Sequence, residues 1–512
     1  MNTYKRMQAL GRRPAAPALV RHIAVRRADG ATLPSHPACA ASDPQSCAHA
    51  LVDARLNEAL FRYERVIRDR FDAIEDVLRS LSPYQHDLDF AEKAQVMAEQ
   101  RLGLRWPQSA LEHAWVAGVD MKTLFAHATF EGVARCVASA DFDQAAWRTA
   151  LPLNVARWRE FGYHTVDISP CADGRLQGLL PFVLRTVPDE AVLVKAYAGA
   201  LFDIENDVAD WAQRQVHQYA SGVFGLDYLK VAVYHFSSSS PTQQGCAAHG
   251  SHDDVAITAA IERLYALRHA VAEQFGPDMA PQVVLIGVDT DLDAIRIHLP
   301  DISGRLHAQR FLDSAHLYRQ TLGLPADVAL GHIEQAVKSY AHDLGGLGAK
   351  GNESGMQGLA VAWLVANFSQ IEYVLHHHAG RYAVIGHDEQ FICVGDMVPR
   401  LHLRNQFYYA HLDTVEEGAA DLDVGIRIFS GLNVRRGLPV PVLVHFQYSS
   451  AVPDSRARAV QRGQRIRAAI ATRYAELCSR GLLQCCVAVS DRRGREPLAF
   501  VADDASVSPC MH

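Results

Sequence analysis

The chain has 512 residues, of which 49% are hydrophobic and 21% charged, with a formal net charge of −7. That size and apolar content exclude a wholly disordered chain, a collagen-like fibre and a small disulfide scaffold, and predict about three domains. The acidic balance argues against a general nucleic-acid binder, and ten cysteines in so long a chain read as reduced thiols, some of them candidate metal ligands.

Residues 1–50 read as a basic, disordered tail. Up to Asp29 there are seven Lys/Arg and one acid, Pro and Ala are frequent, and no apolar period holds. A mitochondrial transit peptide would look similar, but the apolar core of a secretory signal is missing. No stretch approaches 18 apolar residues, so no membrane span is expected.

Residues 51–150 read as a helical domain. Leu56, Leu60, Tyr63, Ile67, Phe71, Ile74 and Leu78 recur every three to four positions and share one helix face. From 151 to 397 short β-branched runs alternate with helical ones. YHTVDIS (163–169), LKVAVYHF (229–236) and QVVLIGVD (282–289) read as buried strands. Asp254 to Phe275 reads as a helix stopped by Gly276-Pro277. The alternation predicts a largely parallel α/β sheet.

The last part, 398–512, repeats that style. DVGIRIF (423–429), PVLVHFQY (441–448) and LLQCCVAVS (482–490) read as strands, and Arg456 to Leu477 as a helix. The VHF near 445 pairs with the YHF near 235, sharing His and Phe, which hints at an internal duplication.

In α/β folds, ligands bind at the carboxyl ends of strands. There the sequence places Cys171-Ala172-Asp173-Gly174-Arg175 after one strand, His235 at the end of the next, and Cys246 just before a helix. Two thiolates and an imidazole leave one position of tetrahedral zinc open, the count of a catalytic site. His249, three residues after Cys246, competes as a ligand.

Other patterns carry less chemistry. His36, Cys39, Cys47 and His49 could close a structural zinc site. Cys485 and Cys486 read as core, and His376-His377-His378 as a solvated helix end. Asp289, Asp291 and Asp293 imitate an EF-hand without its glycine or its preceding helix. GGLGAKGNESG (345–355) lacks the spacing of a P-loop and reads as a flexible loop open to an anion.

The CxDxR, His and Cys pattern resembles the β-class carbonic anhydrases, although eleven positions separate His235 from Cys246. VDISPCADGRLQGLLPF, KAYAGALFDIE, GCAAHGS, LIGVDTDLDAIRIHLPD, IGHDEQF, YYAHLDTVEE and RGLPVPV resemble the carboxysomal shell carbonic anhydrases.

The resemblance implies an N-terminal helical domain, a zinc-bearing β-carbonic-anhydrase-like α/β domain, and a degenerate second copy without zinc. Residue by residue, it makes Cys171, His235 and Cys246 the ligands of one zinc per chain, and Asp173 and Arg175 a catalytic dyad. His387, in the IGHDEQF block, becomes the candidate for proton transfer, with His249 and His252 as alternatives. Consistent with a degenerate copy, Arg456 stands eleven residues after His445, and DVGIRIF is not followed by CxDxR.

The implied function is conversion of bicarbonate to CO2 beside Rubisco inside the carboxysome. The tail would contact Rubisco or shell proteins, the assembly would be at least a dimer, and neither nucleic acid nor membrane is an expected partner. The competing readings are a scaffold with a structural metal and another zinc hydrolase. HExxH, and HxE with PCxxC, which such hydrolases and deaminases use, do not occur.

Overall fold

The computed structural model describes residues 48–501, apart from 112–119, 139–148, 188–189, 223, 243, 349–351, 379, 381, 383–388, 399–405, 413–414 and 493–497. Residues 1–47 of the basic tail, with His36, Cys39 and Cys47, lie outside the described residues, as does His387.

The expected apolar stripe forms the long helix Ala54–Leu81. Asp53 caps it by accepting the Arg55 N–H at 2.9 Å. Leu60, Tyr63, Ile67, Phe71, Ile74 and Leu78 are buried on its inner face. This face packs on the helix Met121–Ala138, where Gly132 leaves room for the Phe71 ring.

The first sheet contains β1 (Tyr163–Pro170), β2 (Val192–Val194), β3 (Asp227–Phe236), β4 (Gln282–Asp289), β5 (Ile295–His298) and β6 (Leu312–Asp313), in the order β2-β1-β3-β4-β5-β6. The first four are parallel and the last two antiparallel. All eight residues of β4 are buried, so both faces are covered and the sequence there is a continuous apolar run. The helix Asp253–Phe275 covers one face with Ala256, Ile257, Ala260, Leu264, Leu267 and Val271. Against the other lies the helix Glu353–His377.

The helix Glu353–His377 bears on three expectations and corrects two, the solvated histidine end and the loop through 355. Among the described residues it is the one helix long and apolar enough to cross a membrane by composition. Fourteen of its residues are buried, and it fills the protein's core on several sides. Its histidine end is not solvated as a whole: His376 is exposed, but His377 stacks on Phe61 at 4.6 Å and His378 is buried. Glu353 to Gly355 belong to this helix rather than to the expected loop.

The second sheet contains β7 (Phe391–Gly395), β8 (Phe407–Ala410), β9 (Val440–Tyr448), β10 (Leu483–Asp491) and β11 (Ala499–Phe500). Its order, β8-β7-β9-β10-β11, repeats that of β2-β1-β3-β4-β5, with the same three parallel pairings and the same antiparallel last one. β7 precedes the expected division at 397/398 yet pairs into this sheet.

The expected strand at 423–429 is helical, within Val415–Leu432. Leu422, Ile426 and Phe429 are buried at helical spacing, whereas Ile428 is only partly covered. Over seven residues the alternating Val424, Ile426 and Ile428 could not separate the two periods. The counterpart of β1 is therefore β7. With His445 set on His235, the strand registers put Val394 in the place of Cys171, Asp396 in that of Asp173 and Val398 in that of Arg175.

Among the competing patterns, His49 is buried. Its Nε2 lies 2.9 Å from Thr321 Oγ1 and its ring packs on Tyr318 and Phe368, so it is committed to the core. Cys485 and Cys486 are only partly buried rather than core. The carboxylates of Asp289 and Asp291 brace the Ser237–Ser239 turn.

Candidate metal centre

Cys171, His235 and Cys246 meet at the carboxyl ends of β1 and β3. Their ligand atoms all lie within 4.8 Å of one another, and all three residues are buried. Cys171 follows β1 directly, and its N–H donates to Val233 O at 3.0 Å. His235 is the ninth residue of β3. Cys246 caps the short turn Ala247–His249 rather than the long helix that follows. Both cysteines sit in the apolar core of the first sheet, with Leu176 and Leu180.

The donor set fits a metal. The two sulfurs are 3.7 Å apart, too far for a disulfide. Tetrahedral zinc with bonds of about 2.3 Å would hold two sulfurs about 3.8 Å apart. His235 Nε2 is buried without a hydrogen-bond partner, while Nδ1 lies 3.3 Å from Arg175 Nη2. A buried polar atom so placed carries a desolvation cost that ligation removes. The thiols polarise each other. Cys171 is raised well above its ordinary range by Cys246 and by burial, whereas the hydrogen bond with Cys171 lowers Cys246.

Asp173 and Arg175 form a forked pair. Nε donates to Oδ1 at 2.8 Å and Nη2 to Oδ2 at 2.9 Å, while the Arg175 backbone N–H also reaches Oδ1 at 3.0 Å. Arg175 Nη1 is held by Gln244 O at 2.9 Å and Thr290 Oγ1 at 3.1 Å. Burial opposes the Arg175 charge, but the Asp173 carboxylate more than offsets it, so its pKa rises. Asp173 Oδ2 stands 3.5 Å from His235 Nε2, which puts the pair beside the ligand cluster.

His249 is not part of the cluster. Its Nε2 lies 3.1 Å from Gly199 O, and burial lowers its pKa. Gly199 in turn donates its N–H to Cys171 Sγ at 3.3 Å. With φ at +68° and a would-be Cβ 2.5 Å from His249 Nε2, only glycine fits there. His252 is exposed. The counterpart His445 has Nδ1 at 2.8 Å from Asp396 O and Nε2 at 2.8 Å from Ser490 Oγ, so both ring nitrogens are already engaged.

Sequence reasoning missed the contribution of the second half. Tyr409 N–H of β8 donates to Ala172 O at 3.1 Å, and the Glu389 carboxylate accepts the Gly174 N–H at 2.9 Å. Both residues lie in blocks singled out in the sequence, but nothing local to them points to residue 174.

The fold and site define a class: a duplicated α/β protein in which one copy carries a buried Cys–His–Cys cluster beside an Asp–Arg pair, and the other has different residues at the matching positions. Three domain families match consecutive stretches. Carboxysome shell carbonic anhydrase N-terminal matches residues 49–141, the catalytic domain 155–387 and the C-terminal domain 388–505. The carboxysome shell carbonic anhydrase of Halothiobacillus neapolitanus is 40% identical over 477 residues, covering 91% of this chain and 92% of that one. Those of Parasynechococcus marenigrum and Prochlorococcus marinus MIT 9313 are 41% and 42% identical, covering 88% and 87% of this chain and 78% and 87% of theirs. The chain belongs to the carboxysome shell carbonic anhydrase family.

Proposed function

We propose that the chain is a zinc carbonic anhydrase that interconverts bicarbonate and CO2 inside the carboxysome, with Cys171, His235 and Cys246 holding one zinc ion. The observation that carries this reading is the convergence of two thiols and an unpartnered imidazole nitrogen beside the Asp173–Arg175 fork. A zinc ion there supplies a Lewis acid that brings the ionisation of water toward neutral pH and so provides a nucleophile for CO2.

The chain's own residues do the rest. Arg175 engages both oxygens of Asp173, which fixes the carboxylate in place and off the cluster. Asp173, beside the ligands, accepts a hydrogen bond from the reacting water and orients its lone pair. The apolar surroundings of the two cysteines exclude bulk water. His387 is the proposed carrier of the proton to solvent.

The three ligand atoms found among the described residues match the count of a catalytic zinc rather than a structural one, which favours an enzyme over a scaffold. We divide the chain into a basic tail (1–50), a helical domain (51–150), a catalytic domain from 151 and a C-terminal copy. We set the division between the last two ahead of Phe391, a choice that the pairing of β7 into the second sheet supports. The tail is assigned to Rubisco or shell proteins, and the enzyme to a dimer or larger assembly.

Stopped-flow CO2 hydration by the purified chain tests the reading. Activity should vanish on chelation and return with added zinc. Undiminished activity in the metal-free protein, or none in the zinc-loaded one, would refute it.

A further inference from the structure

We infer that Glu389 is a positioning residue for the Asp173–Arg175 pair, supplied by the copy that has no cluster of its own. The inference rests on the dyad reading above and adds a residue to it. Gly174 stands between the two dyad residues, and its N–H lies inside the turn that aims both side chains. Glu389 Oε1 accepts that N–H at 2.9 Å, and Glu389 is buried. A buried N–H needs an acceptor at this reach, charged or neutral; left unpaired it would cost the turn its conformation.

The packing around Gly174 is built for this approach. A Cβ at 174 would lie 2.6 Å from Glu389 Oε1, 2.7 Å from its Cγ and 2.8 Å from Phe407 O. The glycine of CADGR is therefore the gap through which the second half reaches the loop. One residue earlier, the Tyr409 N–H donates to Ala172 O at 3.1 Å. The loop that carries the dyad is thus held at residues 172 and 174 by one side chain and one strand that come from more than 200 positions away.

Two variants separate reach from charge. Glu389→Gln keeps an oxygen at the same reach and loses the charge. Glu389→Asp keeps the charge and draws the oxygen back by one methylene. On full-length, zinc-loaded protein the inference expects E389D to lower kcat at least tenfold, with zinc content and KM unchanged, and E389Q to stay within about threefold of the parent. In an Asp173→Ala background, E389D should cost nothing further, because Glu389 acts through the dyad. An E389D variant with parental kcat, an E389Q variant as poor as E389D, or an equal cost of E389D with and without Asp173 would each overturn it. If Asp173→Ala alone leaves turnover intact, the dyad reading fails. If Asp173→Ala abolishes turnover and E389D does not affect it, this inference alone fails.

Discussion

Asp173 has its two oxygens tied to Arg175 and stands next to His235 Nε2, so it can act on a reacting water without ligating the metal. Asp173→Ala and Arg175→Ala should keep zinc and lose about 10²–10³ in kcat, the scale of a removed transition-state contact. Full turnover in either variant would reduce the pair to a structural salt bridge. The proposed ligand set also implies a pH dependence. Two thiolates offset more of the metal's charge than three imidazoles do, so water ionises at higher pH and CO2 hydration should still be rising above pH 7. A profile already flat at pH 6.5 would contradict the charge argument. At this scale the sequence was informative where chemistry is local: a CADGR loop and a strand-end histidine are readable in place. It left His249 open against Cys246, because only the packing of Gly199 shows where that imidazole goes. Glu389 was illegible as a partner of Gly174, since their contact spans 215 positions.

Among the elements, the strands of the first sheet were readable because parallel strands buried on both faces leave unbroken apolar runs. The helix Val415–Leu432 was not, and the misreading hid the counterpart of β1. That helix carries Asp421, whose Oδ1 accepts the Ala198 N–H at 2.8 Å, one residue before the glycine that contacts Cys171. Burial pushes Asp421 up to about 7 from an ordinary 3.8. The folded protein then holds this proton more tightly than the unfolded chain does. Stability is lost as pH rises through the interval between those values, and the cost is complete above about 7. Asp421→Asn keeps an oxygen for Ala198 and removes the charge. It should raise Tm by a few degrees at pH 8 and by clearly less at pH 5, as thermal unfolding at the two pH values will show. A gain that does not depend on pH would mean that Asp421 is not ionised at a cost.

Across the whole molecule, the helical region is joined to the catalytic half by polar as well as apolar contacts. Glu64 of the first long helix accepts the hydroxyls of Tyr373 at 2.6 Å and Tyr382 at 2.8 Å, and the Tyr382 N–H donates to Asp291 O, next to the Thr290 that holds Arg175. The charge is divided unevenly along the chain: the first 30 residues carry +6 and the remainder −13. Removing residues 1–35 should leave zinc content and CO2 hydration intact, because no proposed ligand or dyad residue lies there. It should abolish salt-sensitive binding to Rubisco, measured as affinity against ionic strength. A truncated chain that binds Rubisco as well as the full one would eliminate the tether, and one that loses catalysis would make the segment part of the enzyme. In the residues themselves the duplication was legible only as a shared His-Phe pair; sheet order and register make it an architecture in which one copy carries the Cys–His–Cys cluster and the other braces the loop beside it.

The central claim is the identity of the ligands, and X-ray absorption at the zinc edge of the purified full-length chain tests it most directly. The account predicts one zinc per chain with two sulfurs at about 2.3 Å and one imidazole nitrogen at about 2.0–2.1 Å, and loss of one sulfur, of most zinc and of CO2 hydration in Cys246→Ser. A parent spectrum with a single sulfur and two imidazoles, or a Cys246→Ser variant that keeps its zinc and its activity while His249→Ala loses both, would contradict it.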